Sequence, residues 1–276
     1  MHRAAIGIFD SGIGGLTVAS EIARMLPHED LIYLGDTARL PYGTKSAATV
    51  VRYSERAVDL LLRYPVKVVV IACNTASAHA LGALRSHTEL PVLGVIEPGA
   101  RAAAAAAGPN GRIGVVGTEA TIRSGAYQRA IAAALGEDER ATAERVVCRA
   151  WPLLVPLAEE GWHEHPVARL TLRTYLEPFV AAEVDTLVLG CTHYPVFKRL
   201  IREVLRDDFG DRPITLVDSA EALTLELAAL LAERQLAAPV RDGRRSFFCT
   251  DAPERFGRVG TVFFGGEVAP VFPVDL

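Results

Sequence analysis

Cys73 and Cys191 each close a short apolar run: Val68-Val-Val-Ile-Ala-Cys73-Asn74-Thr75-Ala76 and Thr186-Leu-Val-Leu-Gly190-Cys191-Thr192-His193-Tyr194. Runs this rich in Val, Ile and Leu, stopped by small polar residues, are predicted to be buried parallel strands. Asn74 or Thr75, and Thr192, suit the N-cap of the helix that follows. Each sulfur then stands at the carboxyl end of a strand, where open α/β sheets take ligands. A helix N-terminus beside it favours anions and lowers a thiol's pKa. Two potentially reactive thiols therefore sit in two copies of one local setting.

A pair of sulfurs narrows the chemistry. A cysteine hydrolase needs one nucleophile with a base; His193 could serve Cys191, but Cys73 would have no task. A redox pair wants neighbouring sulfurs, and no Cys-x-x-Cys occurs. A metal wants more Cys or His ligands than either strand end offers. Proton removal from one face of a carbon and return to the opposite face uses both sulfurs, each able to act as base or acid. The ordinary thiol pKa is close enough to neutrality for both forms to exist. Cys148 and Cys249 read as small buried hydrophobes.

The elements that must position these residues alternate along the chain. Strand Ala5–Phe9 feeds the turn Asp10-Ser11-Gly12-Ile13-Gly14-Gly15 and a helix, Leu16–Met25. This approaches a dinucleotide fingerprint, but Thr17 stands where the third glycine belongs and Asp10 would repel a pyrophosphate. Asp10 and Ser11 better suit a small substrate with an ammonium group. Strand Leu31–Gly35 runs into the loop Asp36–Thr44, shaped by Pro41 and Gly43. Tyr42 is there either as a pocket wall or as a packed aromatic. Helix Ala47–Arg63, strand Val66–Ala72, helix Thr75–Ser86 and strand Val92–Val95 complete a first series.

A second series begins after Ile96-Glu97-Pro98-Gly99 with helix Ala100–Ala107 and strand Arg112–Val116. Gly117-Thr118-Glu119-Ala120-Thr121 then takes the place that Asp10-Ser11 holds in the first. Helix Ile122–Leu135, the polar connector Gly136–Arg145 and strand Val146–Ala150 follow. Two prolines make Trp151–Gly161 a loop or short helical turn; one of Glu159 and Glu160 is expected to reach the site. Helix Pro166–Ala181, the Cys191 strand and helix Val196–Leu205 close the series, with Pro195 in the first turn. The tail is expected to hold strand Ile214–Val217, helix Ala220–Ala232 and short strands near Phe247–Thr250 and Val262–Phe264. The alternation predicts an α/β protein with parallel sheets. It is read as two similar doubly wound domains related by pseudo-two-fold symmetry, with a boundary near Glu97–Gly99 and a ligand cleft between them.

With 276 residues, 50% of them hydrophobic, the chain can bury a sizeable core. The net charge of −4 gives no basic footprint for nucleic acid. No apolar run is long enough to span a bilayer, and no signal peptide is expected, so a soluble cytoplasmic protein is predicted.

Gly7-Ile-Phe-Asp-Ser-Gly-Ile-Gly-Gly15, Asp36-Thr-Ala-Arg-Leu-Pro-Tyr-Gly43, Ala72-Cys-Asn-Thr-Ala76, Gly117-Thr-Glu-Ala-Thr121 and Gly190-Cys-Thr-His-Tyr-Pro195 occur in this order over most of the chain. In combination they resemble the cofactor-independent aspartate/glutamate racemase superfamily, and within it the glutamate racemases. Ala120 departs from the glycine of many relatives. The resemblance implies interconversion of L- and D-glutamate, with D-glutamate supplied for peptidoglycan and so for cell wall and cell shape. It implies no cofactor, no metal, and glutamate rather than nucleic acid or membrane as the partner; a homodimer is left open. It places a first domain at residues 1–97, completed by 211–276, and a second at 98–210.

The roles that the resemblance implies fall on particular residues. Cys73 faces the α-proton of D-glutamate and Cys191 that of L-glutamate. Asp10 assists Cys73, His193 assists Cys191, and Glu159 is an auxiliary acid on the Cys191 side. Ser11, Pro41, Tyr42, Gly43, Asn74, Thr75, Thr118, Thr121 and Thr192, with Asp10 and His193, hold the carboxylates and ammonium. Asp36 is read as a structural cap. The alternative functions are racemisation of another amino acid such as aspartate, or non-catalytic amino-acid binding in the same cleft.

Overall fold

The structure, a computed structural model, describes residues 3–210 and 213–276. In chain order β1 (Ala5–Asp10), α1 (Leu16–Met25), β2 (Leu31–Gly35), α2 (Ala47–Leu61), β3 (Val66–Ile71), α3 (Asn74–His87) and β4 (Val92–Gly94) come first. Next are α4 (Ile96–Ala107), β5 (Ile113–Gly117), α5 (Glu119–Arg123), α6 (Ala126–Leu135), α7 (Glu139–Ala143), β6 (Val146–Ala150) and α8 (Leu154–Glu159). They lead to α9 (Pro166–Ala181), β7 (Thr186–Gly190), α10 (Lys198–Phe209) and β8 (Thr215–Asp218). The last are α11 (Ser219–Glu233), β9 (Arg245–Cys249), α12 (Pro253–Phe264) and β10 (Val271–Pro273). Single 3-10 turns lie at Tyr42–Thr44 and Tyr194–Phe197.

The chain divides into two compact units. One runs to Val95 and resumes at Ala220–Leu276; the other is Ile96–Ser219. The first holds a six-stranded sheet in the order β10-β9-β2-β1-β3-β4, the second a four-stranded sheet in the order β6-β5-β7-β8. Every strand pair is parallel. The order β2-β1-β3-β4 in one sheet is the order β6-β5-β7-β8 in the other, so β3 and β7 occupy matching places. β1, β2, β5 and β7 are buried along their whole length, as parallel strands covered on both faces must be. Lys67 in β3 is a buried charge in a strand that is otherwise apolar. Its buried ammonium is paired with Glu29 at 2.5 Å and donates to the Leu236 carbonyl at 2.7 Å, which answers the cost of its burial.

Several boundaries differ from those read in the sequence. Ile96 to Gly99 are the first turn of α4 rather than a connector, because Pro98 there gives up no N–H that the helix needs. The helix expected at Ile122–Leu135 is broken by Gly125 at φ 67° into α5 and α6. The connector Gly136–Arg145 contains α7, whose start is capped by Asp138 accepting from Ala141 N. Val262–Phe264 is not a strand but the end of α12; its buried Phe256, Gly260 and Phe263 recur at helical spacing. The strand belongs instead to Val271–Pro273. The expected crossing at Asp211 lies outside the described residues. Beyond it β8 still pairs with β7, and the first unit resumes at Ala220.

Candidate active site

In the first sheet β1 is flanked by β2 on one side and β3 on the other, so the chain changes direction between β1 and β3. Ligands of open parallel sheets bind beyond the strand ends at such a point. Asp10 ends β1, and Cys73 follows β3, whose Ile71 is in register with Phe9. The turn after β1 is built around the Asp10 carboxylate. Gly12 N donates to Asp10 Oδ1 at 2.8 Å, and Tyr33 OH donates to the Gly12 carbonyl at 2.9 Å. A Cβ on Gly15 would stand 2.4 Å from Asp10 Cβ and 2.8 Å from Tyr33 Oη. That glycine makes room for Asp10.

Cys73 itself is the N-cap of α3, in place of the Asn74 or Thr75 expected from their types. Its backbone is extended at φ −65° and ψ 119°, and its Sγ accepts from Ala76 N at 3.4 Å. Asn74 and Thr75 form the buried first turn behind it. The thiol also reaches Ser11 Oγ at 3.5 Å. Burial and then the Asp10 carboxylate push the Cys73 thiol up to about 12, against the lowering effect of Ser11 and Ala76 N–H. The helix N-terminus thus does not give the depressed pKa expected of it; at this position desolvation outweighs it.

Tyr42 and Gly43 lie on the loop after β2, beside exposed Pro41. The Tyr42 side chain is packed away from solvent, its ring 6.1 Å from Phe9 and 5.8 Å from Tyr53. Its hydroxyl donates to Asp36 Oδ2 at 2.7 Å. What Tyr42 and Gly43 can offer a ligand is therefore backbone rather than the phenol. Asp36 is no helix cap: its other oxygen accepts from Thr250 Oγ1 at 2.9 Å, making it a buried hub of the loop.

The second unit repeats the topology, with β6 on one side of β5 and β7 on the other. Gly117 at the end of β5 is in register with Gly190 at the end of β7. A Cβ on Gly190 would stand 2.6 Å from the Val116 carbonyl oxygen and 2.8 Å from Tyr127 Cε2. Beyond these glycines Thr118 caps α5 by accepting from Thr121 N at 3.3 Å, and the two hydroxyls are 3.0 Å apart. Thr192 is buried beside Cys191 but caps no helix. Tyr194 N donates to the Cys191 carbonyl at 3.1 Å, a 3-10 turn follows, and α10 starts only at Lys198. The two cysteines thus share a strand-end position but not a helix terminus.

A histidine takes the place of that terminus at Cys191. His193 Nδ1 lies 3.9 Å from Cys191 Sγ, and its Nε2 lies 3.2 Å from Glu159 Oε1. Burial alone would lower the imidazole pKa. The Cys191 sulfur and the Glu159 carboxylate outweigh it and raise the ring to about 10. A protonated ring has two N–H groups to donate, one on each side, and stabilises negative charge on the sulfur. Glu160, next to Glu159, is exposed.

The segment that leads to Glu159 is joined to the turn after Cys191 by residues that nothing in their spacing singles out. Tyr194 OH donates to the Trp151 carbonyl at 2.8 Å, tying the chain before α8 to the turn after Cys191. Trp151 stacks on Tyr175 at 5.5 Å and meets Phe179 edge-on at 5.8 Å. Tyr33 braces the turn around Asp10 in the first unit, and Tyr194 braces the turn after Cys191 in the second. A tyrosine buried in or beside an apolar strand needs a partner for its hydroxyl, and that was the available signal. Among the described residues no group of three or more His, Cys, Asp or Glu side chains is placed to hold a metal ion. Among the described residues no helix is long and apolar enough to cross a membrane.

Residues 6–227 match the model of the Asp/Glu/Hydantoin racemase family. A glutamate racemase of Geobacter metallireducens is 53% identical, over 100% of this chain and 98% of its own length. The crystal structure of a glutamate racemase isoform from Bacillus anthracis superposes with a TM-score of 0.90 at 37% identity, covering 100% of this chain and 99% of that one. A glutamate racemase of Francisella tularensis, crystallised with D-glutamate, gives a TM-score of 0.88 at 34% identity, covering 100% and 98%.

Proposed function

The chain belongs to the Asp/Glu/Hydantoin racemase family, and we propose that it interconverts L- and D-glutamate by acid/base catalysis at Cys73 and Cys191, without a cofactor. One observation carries this reading. A thiol stands at the matching strand end of each sheet, each supported by its own polar partners: Ser11 and Asp10 for Cys73, His193 and Glu159 for Cys191.

The protonation of these groups suggests a direction. Cys73 is held as a thiol, an acid, and His193, its ring raised by the Cys191 sulfur and Glu159, stands beside the sulfur that acts as the base. In this state Cys191 takes the α-proton of L-glutamate while Cys73 delivers a proton to the opposite face. The exchanged state, with the thiolate at Cys73, serves D-glutamate. The α-proton is weakly acidic, so the developing charge needs donors already in place. Asp10 accepts from Gly12 N and suits the ammonium. Ser11, the backbone of Tyr42 and Gly43, Asn74, Thr75, Thr118, Thr121 and Thr192 supply donors for the carboxylates.

D-glutamate made this way would serve peptidoglycan synthesis. A cytoplasmic setting belongs to the same reading and accords with free thiols at all four cysteines. A homodimer would give partners to exposed apolar side chains such as Trp162 and Leu170.

The test is polarimetry of the purified protein with L-glutamate and nothing added. The rotation should decay to zero, since the enantiomers have equal free energy. Rotation that persists under conditions where a known glutamate racemase abolishes it would refute the proposal.

A further inference from the structure

The loop that carries Tyr42 and Gly43 is anchored by residues more than two hundred positions away. Asp36, fully buried, accepts from Tyr42 OH at 2.7 Å and from Thr250 Oγ1 at 2.9 Å. The same Thr250 hydroxyl oxygen accepts from Ala38 N at 2.8 Å. Thr37 and Asp251 bond reciprocally: Thr37 Oγ1 donates to the Asp251 carbonyl at 2.7 Å, and Asp251 N donates to Thr37 Oγ1 at 2.8 Å. Arg39 donates to the Leu276 carbonyl, approaches Asp36 Oδ2 at 3.5 Å and lies over the Tyr53 ring at 5.1 Å. Tyr53 in turn packs on Tyr42.

These contacts replace regular structure. From Asp36 to Pro41 the loop is in neither helix nor strand, so its shape depends on its side-chain partners. A carboxylate buried this deeply persists where hydrogen bonds answer it, and the donors here come from both ends of the same device. One end is Tyr42, which opens the 3-10 turn after the loop; the other is Thr250, just past β9. The 3-10 turn that Tyr42 opens also packs on α3, whose cap is Cys73.

We infer that Asp36, Thr250 and Arg39 are positioning residues, which set the backbone of Tyr42 and Gly43 for a carboxylate of the substrate. The segment from Thr250 to Leu276 is thereby a working part of the first half-site although it meets no reacting atom. This rests on the glutamate reading above and adds to it the residues that fix the carboxylate-binding loop.

The experiment is steady-state kinetics with both enantiomers on Thr250→Val, Thr250→Ser, Tyr42→Phe and the Tyr42→Phe/Thr250→Val double variant. Removing one donor to a buried charge should raise KM about tenfold, with kcat within about twofold. Thr250→Ser keeps the hydroxyl and should keep the original KM, which a purely steric role for the threonine methyl would not allow. The double variant should cost less than the product of the singles, because both donors serve one carboxylate. Arg39→Ala, at a partly exposed position, is the variant to use if Thr250→Val does not fold; it should raise KM about threefold. An unchanged KM in folded Thr250→Val or Arg39→Ala, or a Thr250→Ser variant as impaired as the valine, overturns the inference while leaving the racemase reading intact. A wild-type chain that cannot racemise glutamate overturns both.

Discussion

Glu159 Oε1 stands 3.2 Å from His193 Nε2, on the side of the ring away from Cys191. The carboxylate acts on the sulfur through the imidazole, and its removal should be read there. In Glu159→Gln one of the influences that raise His193 to about 10 is lost. The alkaline limb of kcat/KM should move to lower pH, with activity at neutral pH reduced about tenfold. A pH–rate profile checks both. Because the equilibrium constant is one, kcat/KM must fall equally in the two directions.

The same pair gives a stability prediction with a definite sign. The folded-state pKa of His193 lies above the ordinary value of 6.5, so the native chain binds more protons than the unfolded one between the two values. The stabilisation is complete below about 6.5 and is lost as pH rises through about 10. Chemical denaturation at intervals across that range should show a declining midpoint, and a shallower decline in Glu159→Gln. A midpoint that rises with pH there, attributable to His193, would contradict the assignment.

At Cys73 the high pKa has two causes, burial first and Asp10 second, and they can be separated. Asp10→Asn removes the charge and keeps the size. Alkylation of Cys73 near pH 8, followed by mass spectrometry of the peptide, should then be several-fold faster than in the wild type, while racemisation falls. Unchanged labelling would mean that burial alone sets the thiol.

Gly15→Ala is expected to be costly for a local reason. The new methyl would collide with Asp10 and the Tyr33 hydroxyl, neither of which is the free end of a flexible chain. Overpacking of this kind costs about 1–3 kcal/mol. The denaturation midpoint should fall, and activity should fall further than stability explains, because the displaced group is Asp10.

The parallel strands, their order of appearance and the strand-end thiols were legible because buried parallel strands are continuous apolar runs of distinctive composition. The turn residues Asp10, Ser11 and Thr118 could be found the same way. Strand-end position alone does not select a reactive thiol, since Cys249 also closes a strand, β9. What could not be read were contacts between distant parts of the chain. Glu159 meets His193 across more than thirty residues, with Tyr194 tying the segment before α8 to the turn after Cys191, and Asp36 becomes a hub because Thr250 arrives beside it. Cap identity also escaped: cysteine is not a preferred N-cap, yet Cys73 holds that place because the strand delivers it there. The tail was misread where a run of Val and Phe suited strand and helix alike; burial of every third or fourth residue decided for α12.

In the proposed two-cysteine mechanism two different groups, one on each face, handle the α-hydrogen. L-glutamate bearing ordinary hydrogen should be incubated in D₂O and sampled while conversion is small, with the enantiomers separated and weighed by mass spectrometry. The D-glutamate formed should carry deuterium at the α-carbon in nearly every molecule, since its new hydrogen comes from a second, solvent-equilibrated group. The remaining L-glutamate should still carry hydrogen. D-glutamate that retains the original hydrogen, passed from face to face by a single group, would contradict it.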